Sequence, residues 1–192
     1  ASPLGLAESP KSRSNFGTTF SPVWQVRDMV ILGLTGSIAM GKTDAAKAFR
    51  RLGIHVHDAD KVVHELLGHD GLAVDQVGAL FPGTVNDGRV DRTALGQWVF
   101  GDGDALLRLE AILHPLVHKA ERRFLSAAAR RRDKIVVLDI PLLFETEGES
   151  RCDFVAVVTA PVRIQRARVF NRPGMTADRL SKILARQMPD PE

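Results

Sequence analysis

Hydrophobic positions along this chain form short continuous runs separated by longer segments with helical spacing. The first run, at residues 30–34, is followed by apolar positions three and four residues apart up to Leu52, where Gly53 supplies a stop signal. Three further runs predict strands at residues 54–57, 134–138 and 154–159. Strands separated by helices need crossover connections, so the pattern predicts an α/β fold with a mostly parallel sheet and helices on both faces.

Residues 61–133 lack an obvious strand and show helical patterns throughout. We expect helices at residues 62–67, 72–80, 93–100 and 105–131. Pro115 lies inside the last pattern and removes a backbone donor, so that helix is expected to bend or restart there. The adjacent His114 would then either face a cleft or act as a capping group at the helix junction. The segment is predicted to be a helical insertion in the sheet domain.

A second helical region follows the last predicted strand. The pattern predicts a helix at residues 162–170, a turn at 171–176 and another helix beyond it. Arginines recur around this turn at Arg163, Arg166, Arg168 and Arg172. Such a placement suits a mobile lid that closes over a transferring phosphate, and an exposed basic helix face is the other interpretation. Residues 163–188 are accordingly a candidate lid region.

Residues 1–28 carry neither apolar periodicity nor a secondary-structure signal. We expect a flexible tail here, with Met29, directly before the first predicted strand, as the natural start. The segment lacks the continuous apolar stretch of a secretory signal, and a transit peptide is the less favoured alternative.

Composition narrows the class of protein. The 192 residues are 44% hydrophobic and 26% charged, which suits one globular domain, and no apolar run approaches the roughly 20 residues of a membrane helix. Cys152 is the only cysteine, so a reducing cytoplasm is the expected setting. A net charge of +3 suits either nucleic acid or a phosphate-rich small substrate. Because aromatic and basic residues are not interleaved, we expect no nucleic-acid partner, and because no apolar run is long enough to span a bilayer, we expect no membrane partner.

Residues 36–43 fit the phosphate-binding pattern G-x-x-x-x-G-K-[ST] and lie between a predicted strand and a predicted helix. A chance glycine-rich turn is the alternative, but the strand-loop-helix context favours a P-loop NTPase-type three-layer fold. In such a loop backbone N–H groups face the triphosphate, Lys42 neutralises its outer phosphates and Thr43 holds magnesium. The candidate ATP contacts are Gly36, Ser37, Ile38, Ala39, Met40, Gly41, Lys42, Thr43 and Asp44, with Arg168 and Arg172 from the lid.

Three carboxylates follow predicted strands. Asp58 and Asp60 come after the second strand, at the sheet edge where ligands bind in open α/β folds. One of them is expected to cap the next helix, with Asp58 the structural or magnesium-linked residue and Asp60 the catalytic one. Asp139 closes the third strand and resembles a Walker B carboxylate that would hold a magnesium-bound water or position the P-loop lysine.

Five ordered motifs resemble the dephospho-CoA kinase family over nearly everything from Met29 onward. They are Gly-Leu-Thr-Gly before the P-loop lysine, Asp58-Ala59-Asp60, Leu113-His114-Pro115, Asp-Ile-Pro-Leu-Leu-Phe-Glu at residues 139–145, and Ala-Arg-Gln at residues 185–187. The resemblance implies transfer of the ATP γ-phosphate to the ribose 3′-hydroxyl of dephospho-CoA, with ATP and Mg²⁺ required. Another P-loop small-metabolite or nucleoside monophosphate kinase is the alternative enzyme, and a nucleotide-binding switch or nucleic-acid NTPase the alternative from a different class.

Residue roles follow from the same resemblance. Asp60 matches the family's proposed general base, Arg172 its lid arginine, and Lys42 completes the catalytic set. The acceptor-binding candidates are Asp58, His114, Pro115, Leu142, Leu143, Phe144 and Glu145, and the metal candidates are Thr43 and Asp139. Residues 29–60 and 134–162 would form the nucleotide-binding core, and residues 61–133 the acceptor insertion. A monomer is expected, with a weak oligomer as the alternative.

The chain departs from the family pattern in three places. Ala39 and Met40 stand where relatives commonly have glycine and serine, which would restrict the loop slightly. Pro173 replaces an aspartate after the lid arginine, so a role for that acid is not expected here. Relatives also continue into one more strand and a closing helix, and activity is expected to suffer if the protein ends at Glu192.

Overall fold

The computed structural model describes residues 29–100, 102–185 and 187–188, so the predicted tail at 1–28 lies outside the described residues. Its strands are β1 (Val30–Thr35), β2 (His55–Asp58), β3 (Val85–Asn86), β4 (Arg89–Val90), β5 (Ile135–Asp139) and β6 (Phe154–Val157). Its α-helices are α1 (Lys42–Arg51), α2 (Ala59–Leu66), α3 (Val74–Leu80), α4 (Arg92–Val99), α5 (Gly103–Arg131), α6 (Val162–Phe170) and α7 (Ala177–Leu184). A short 3₁₀ helix, Gly148–Arg151, precedes β6.

Four strands form one parallel sheet in the order β2-β5-β1-β6. The register pairs Leu34 of β1 with Asp139 of β5, and Asp58 of β2 with the same Asp139. Parallel strands end at a common edge, so the loops after β1, β2 and β5 meet there. The predicted α/β class and parallel sheet are confirmed, with strand boundaries shifted by one or two residues.

Both faces of this sheet are covered. On one face, Leu34 and Val137 pack against Ala46 of α1. On the other face, Val136 and Leu138 pack with Ala128 from the second half of α5. Successive residues of β5 thus point to opposite faces, as the two-residue period of a strand requires. The result is the three-layer arrangement expected from the sequence.

A separate hydrophobic core lies within residues 61–133. Its buried residues are Leu66, Leu67, Ala73, Val74, Val77, Phe81, Val90, Leu95, Ala105, Leu109 and Leu113. The first half of α5 contributes three of them, while its second half packs on the sheet. One helix therefore belongs to both cores and ties the helical segment to the sheet.

The expectation of a helix restart at Pro115 is wrong, because α5 runs without interruption from Gly103 to Arg131. Proline removes one backbone hydrogen bond from the helix. The apolar contacts of Leu109 and Leu113 before it, and of Ala128 after it, hold the two halves in one helix. His114 therefore lies within a continuous helix, and no helix break aims its side chain into a cleft.

The expectation that residues 61–133 contain no strand is also wrong, because β3 and β4 form a small antiparallel hairpin. Asp87 and Gly88 connect the two strands, and both have positive φ, at 50° and 68°. Asp-Gly is the turn dipeptide typical of such hairpins. Each strand has two residues, which is too short to produce the alternation that reveals a strand in a sequence.

Candidate active site

The P-loop follows β1 and leads into α1 at the sheet edge. Gly36 lies close to Val158, the residue that follows β6. A Cβ on Gly36 would be 2.5 Å from the carbonyl oxygen of Val158. Gly41, directly before α1, has φ 110°, and Ala39 has φ 61°. A left-handed alanine costs on the order of 1 kcal/mol, so glycine would fit this backbone conformation better.

Side chains from beyond β6 bond three consecutive carbonyl groups of the P-loop. The Gln165 amide Nε2 donates to the Ile38 carbonyl at 3.0 Å, and Arg168 Nη1 donates to the carbonyls of Ala39 and Met40 at 3.3 Å each. From after α7, Gln187 Oε1 accepts from the Ile38 N–H at 3.1 Å. Both the N–H and the carbonyl group of Ile38 are therefore hydrogen-bonded to side chains, and the carbonyl groups of residues 38–40 point toward α6.

We expect replacement of Gln165 by leucine to raise the KM for ATP about tenfold. Gln165 is buried on α6, so leucine would leave the Ile38 carbonyl without its donor, at a cost of about 1–3 kcal/mol. Steady-state kinetics at saturating acceptor would measure the change, with Gln97→Leu on the exposed side of α4 as the matched control. An unchanged KM for ATP in a folded Gln165→Leu variant would show that this bond does not shape the loop.

Lys42 and Asp139 form a short ion pair at the centre of the sheet edge. Lys42 Nζ lies 2.6 Å from Asp139 Oδ1, and the side chains are 17% and 5% exposed. They line a cleft of about 540 Å³ that also contains Thr43, Ala46, Arg50, Asp58, Asp60, Lys61, Val63, His64 and Arg92. The cleft therefore joins the P-loop to α2 and to the start of α4.

The two carboxylates after β2 have different surroundings. Asp58 is the N-cap of α2, where its Oδ1 accepts from the Lys61 N–H at 3.0 Å, and its Oδ2 lies 3.5 Å from Arg50 Nη2. Asp60 lies in the first helical turn and is exposed in the cleft. Asp58 is therefore the residue that caps α2, and the Asp60 carboxylate is accessible to a ligand.

Two nearby carboxylates influence the ion pair. Burial raises the pKa of Asp139 above its ordinary value, Lys42 opposes this rise, and Asp58 and Asp60 add to it. The cleft lining also carries four cationic side chains, those of Lys42, Arg50, Lys61 and Arg92. By contrast, His57 at the end of β2 is buried, and burial lowers its pKa, so it adds no positive charge at neutral pH.

The acids do not form a complete metal site by themselves. Within the described ranges, no group of three or more His, Cys, Asp or Glu side chains is placed to hold a metal ion. Magnesium usually takes one or two protein ligands and completes its shell with phosphate oxygens and water. The Thr43 hydroxyl and the Asp139 carboxylate, both lining the cleft, fit that mode of binding.

The remaining candidates from the sequence lie apart from this cleft. Phe144 and Glu145 line a second cavity of about 280 Å³ with Gly36, Ser37 and Gln187. Leu143 is fully buried in the core, and Asp44 pairs with Lys47 at 3.6 Å on the surface of α1. The other exposed candidates outside the cleft lining are His114, Pro115, Leu142 and Arg172.

Several cleft residues were not foreseen from the sequence. His64 lies four residues after Asp60 on α2, so helical spacing was a usable signal for it. Arg50 lies in the last turn of α1 and reaches the cleft through its contact with Asp58. Arg92 carried no local signal, because the β3-β4 hairpin brings it to the cleft from another part of the chain.

A phosphate-binding loop with its lysine on a Walker B-type carboxylate, beside an open acid, defines a P-loop phosphotransferase fold and site. The CoaE family model, described as dephospho-CoA kinase, matches residues 30–192. The chain belongs to the dephospho-CoA kinase family.

Relatives named dephospho-CoA kinase cover most of the chain. The protein of Paramagnetospirillum magneticum is 66% identical over 162 residues, which is 84% of this chain and 76% of that protein. The protein of Rhodospirillum rubrum is 58% identical over 163 residues, or 84% of this chain and 77% of the relative. That of Mesorhizobium japonicum is 55% identical over 164 residues, or 85% and 82%.

Solved structures agree with the fold. The crystal structure of TT1252 from Thermus thermophilus has 35% sequence identity and a TM-score of 0.71, covering 84% of this chain and 81% of that one. A dephospho-CoA kinase from Campylobacter jejuni, at 19% identity, superimposes with a TM-score of 0.50 over 74% of this chain and 95% of that one. No helix in the described part of the chain is long and apolar enough to cross a membrane.

Proposed function

We infer that this chain transfers the γ-phosphoryl group of ATP to the ribose 3′-hydroxyl of dephospho-CoA, which yields coenzyme A, and that the cleft at Lys42 is the place of transfer. One observation carries the location. The P-loop lysine, the buried Asp139 and the open Asp60 line a single cleft at the carboxyl edge of the sheet. A phosphate donor on one wall and a hydroxyl acceptor on the other need this arrangement.

The donor side of the proposal rests on the P-loop. Backbone N–H groups at the start of α1 would hold the ATP phosphates, and Lys42 would move from Asp139 toward the outer phosphates. Thr43 and Asp139 would hold Mg²⁺, which when bound neutralises charge on the phosphates. The short distance between Lys42 and Asp139 supports a site organised around phosphate and cation charges.

The acceptor side of the proposal rests on Asp60. Its exposed carboxylate would accept a hydrogen bond from the ribose 3′-hydroxyl and take the proton as the oxygen attacks. The new bond joins the 3′-oxygen to the γ-phosphorus, the bond to the oxygen bridging the β- and γ-phosphates breaks, and ADP leaves with that electron pair. Asp58 would remain the helix cap and orient α2 rather than take the proton.

Two lid arginines receive different roles in this proposal. Arg168 Nη1 already donates to the carbonyls of Ala39 and Met40, so it would hold the P-loop backbone in its conformation. Arg172 lies exposed in the turn between α6 and α7. From there we propose that it swings over the γ-phosphoryl group and stabilises the charge that develops on it.

The regional assignments are part of the same proposal. Residues 29–60 and 134–162 would act as the nucleotide core, residues 61–133 as the acceptor-binding insertion and residues 163–188 as the lid. We further propose a monomeric, cytoplasmic enzyme without a nucleic-acid partner. The second cavity, with Phe144 and Glu145 in its lining, is a further surface on which the acceptor or the adenine of ATP would rest.

A panel of acceptors tests the proposed function. The protein is incubated with Mg-ATP and dephospho-CoA, AMP, shikimate or pantetheine, and the products are identified by mass spectrometry. Phosphate gained by dephospho-CoA alone, at its 3′ position, is the expected result. Preferential transfer to AMP or shikimate would show instead that the protein is another small-metabolite kinase.

A further inference from the structure

The segment that follows α7 contacts two loops at the carboxyl edge of the sheet. Gln187 Oε1 accepts from the Ser37 hydroxyl at 2.7 Å as well as from the Ile38 N–H at 3.1 Å. The next residue, Met188, donates its N–H to Glu145 Oε1 at 2.6 Å. These two residues therefore connect the P-loop to the loop that follows β5, and both loops line the cavity of about 280 Å³.

The loop that follows β5 is folded onto itself around the position of Glu145. Thr146 Oγ1 donates to the Leu142 carbonyl at 2.7 Å, and the Gly148 N–H donates to the Leu143 carbonyl at 2.7 Å. The Leu143 side chain is fully buried in the core beneath the sheet edge. The loop therefore holds the exposed Glu145 carboxylate beside the end of the α7 segment.

At the other end of this connection, the Ser37 hydroxyl lies between two glutamine side chains. It accepts from Gln165 Nε2 at 3.3 Å and donates to Gln187 Oε1 at 2.7 Å. Gln165 is buried on α6, whereas Gln187 is half-buried and follows the end of α7. The backbone around Gln187 is held by its own N–H, which donates to the Leu184 carbonyl at 3.1 Å, and by the bond to Glu145. The second of these bonds is the one that a single side chain supplies.

We propose that Glu145 is a positioning residue for the P-loop, although it lies in a different loop. Its carboxylate holds the Met188 N–H, and this bond keeps the Gln187 side chain against the P-loop backbone. A hydrogen bond to an ionised acceptor is roughly twice as strong as a neutral one, so a single contact can serve this purpose. The inference rests on the proposed function for ATP as the donor. It assigns Glu145 to the donor side of the reaction instead of to acceptor binding.

Substitution of Glu145 by alanine tests this role through ligand binding. The dissociation constants of Mg-ATP and of magnesium tripolyphosphate, which lacks the nucleoside, are measured by calorimetry without an acceptor. Glu145→Ala should weaken the binding of both ligands equally, by about 3- to 10-fold, because one bond that holds the P-loop is lost. Glu145→Gln should recover most of the affinity, since its amide oxygen can accept the same N–H. The KM for dephospho-CoA at saturating ATP should remain that of the wild type.

A double-mutant cycle with Gln187 separates a connected contact from a general loss of structure. Gln187→Leu should weaken the binding of both ligands by about tenfold. The Glu145→Ala/Gln187→Leu variant should bind them within about twofold of Gln187→Leu alone, because the two residues act through one connection. Glu147→Ala, exposed in the same loop, is the matched control and should leave both dissociation constants unchanged.

Four results would overturn the positioning role. They are unchanged binding in Glu145→Ala, losses that multiply in the double variant, weaker binding of ATP but not of tripolyphosphate, and a raised KM for dephospho-CoA with ATP binding intact. The third would place Glu145 at the adenine, and the fourth would place it at the acceptor. Failure of the proposed function would look different, because the wild type would then bind Mg-ATP but transfer no phosphate to dephospho-CoA.

Discussion

Asp60→Asn is expected to lower kcat by about 10²- to 10⁴-fold while leaving the affinity for ATP unchanged. An asparagine side chain keeps the shape of the carboxylate but cannot accept the proton of the ribose hydroxyl, and general base catalysis is worth an effect of this size. Asp60 is exposed in the cleft and does not cap α2, so the substitution should not disturb the fold. Initial-rate kinetics with dephospho-CoA, together with ATP binding by calorimetry, would separate turnover from affinity.

Asp104→Asn is the matched control for this substitution. Asp104 is also exposed in the first turn of a helix, so its loss has the same influence on the helix dipole without any contact with the cleft. We expect it to leave kcat within about twofold of the wild type. Wild-type turnover in Asp60→Asn would show that Asp60 is not the general base, and Asp58 would then be the next candidate for that role.

Lys42→Met is expected to lower kcat by about 10²- to 10³-fold and to weaken ATP binding as well. The substitution removes a positive charge from the outer phosphates, where one lost stabilising group commonly costs this much. It also leaves Asp139 without its partner at 2.6 Å, so stability should fall by roughly 3 kcal/mol. Kinetics and chemical denaturation would measure the two losses separately.

The Lys42→Met/Asp139→Asn double variant distinguishes the two effects. Burial already raises the pKa of Asp139, and removal of Lys42 takes away the main opposing influence. In Lys42→Met the folded state should then bind a proton that the unfolded state releases, so its stability should fall more steeply than the wild type's as pH rises from about 4 toward neutral. The double variant should lose this slope and recover stability while it remains inactive. The same slope in Lys42→Met and the wild type would contradict the pairing.

Local sequence signals accounted for the elements that carry the chemistry. The P-loop pattern lies between β1 and α1 as predicted, and α6 has the predicted bounds. Asp58 caps α2, one of the two alternatives left open for the acids after β2. Each of these features depends on residues that are close together in the sequence, as in a turn, a helix cap or a hydrophobic period. Such features can therefore be predicted from the sequence.

The errors had a different origin. Pro115 is a local helix-breaking signal, but the apolar contacts made by both halves of α5 outweigh one missing backbone bond. The β3-β4 hairpin was missed because its strands are too short for a period, although Asp87-Gly88 was a turn signal. In both cases packing within the helical segment decided the result.

By itself, the sequence determined the class of fold, the phosphate-binding loop and the family, because these depend on short motifs in a fixed order. Only the tertiary structure decided which distant side chains meet. Gln165 and Gln187 reach the Ile38 peptide across more than 120 residues of sequence, and Arg92 joins Asp60 in one cleft. Such contacts depend on how the helices pack against the sheet edge, and no spacing along the chain encodes that packing directly.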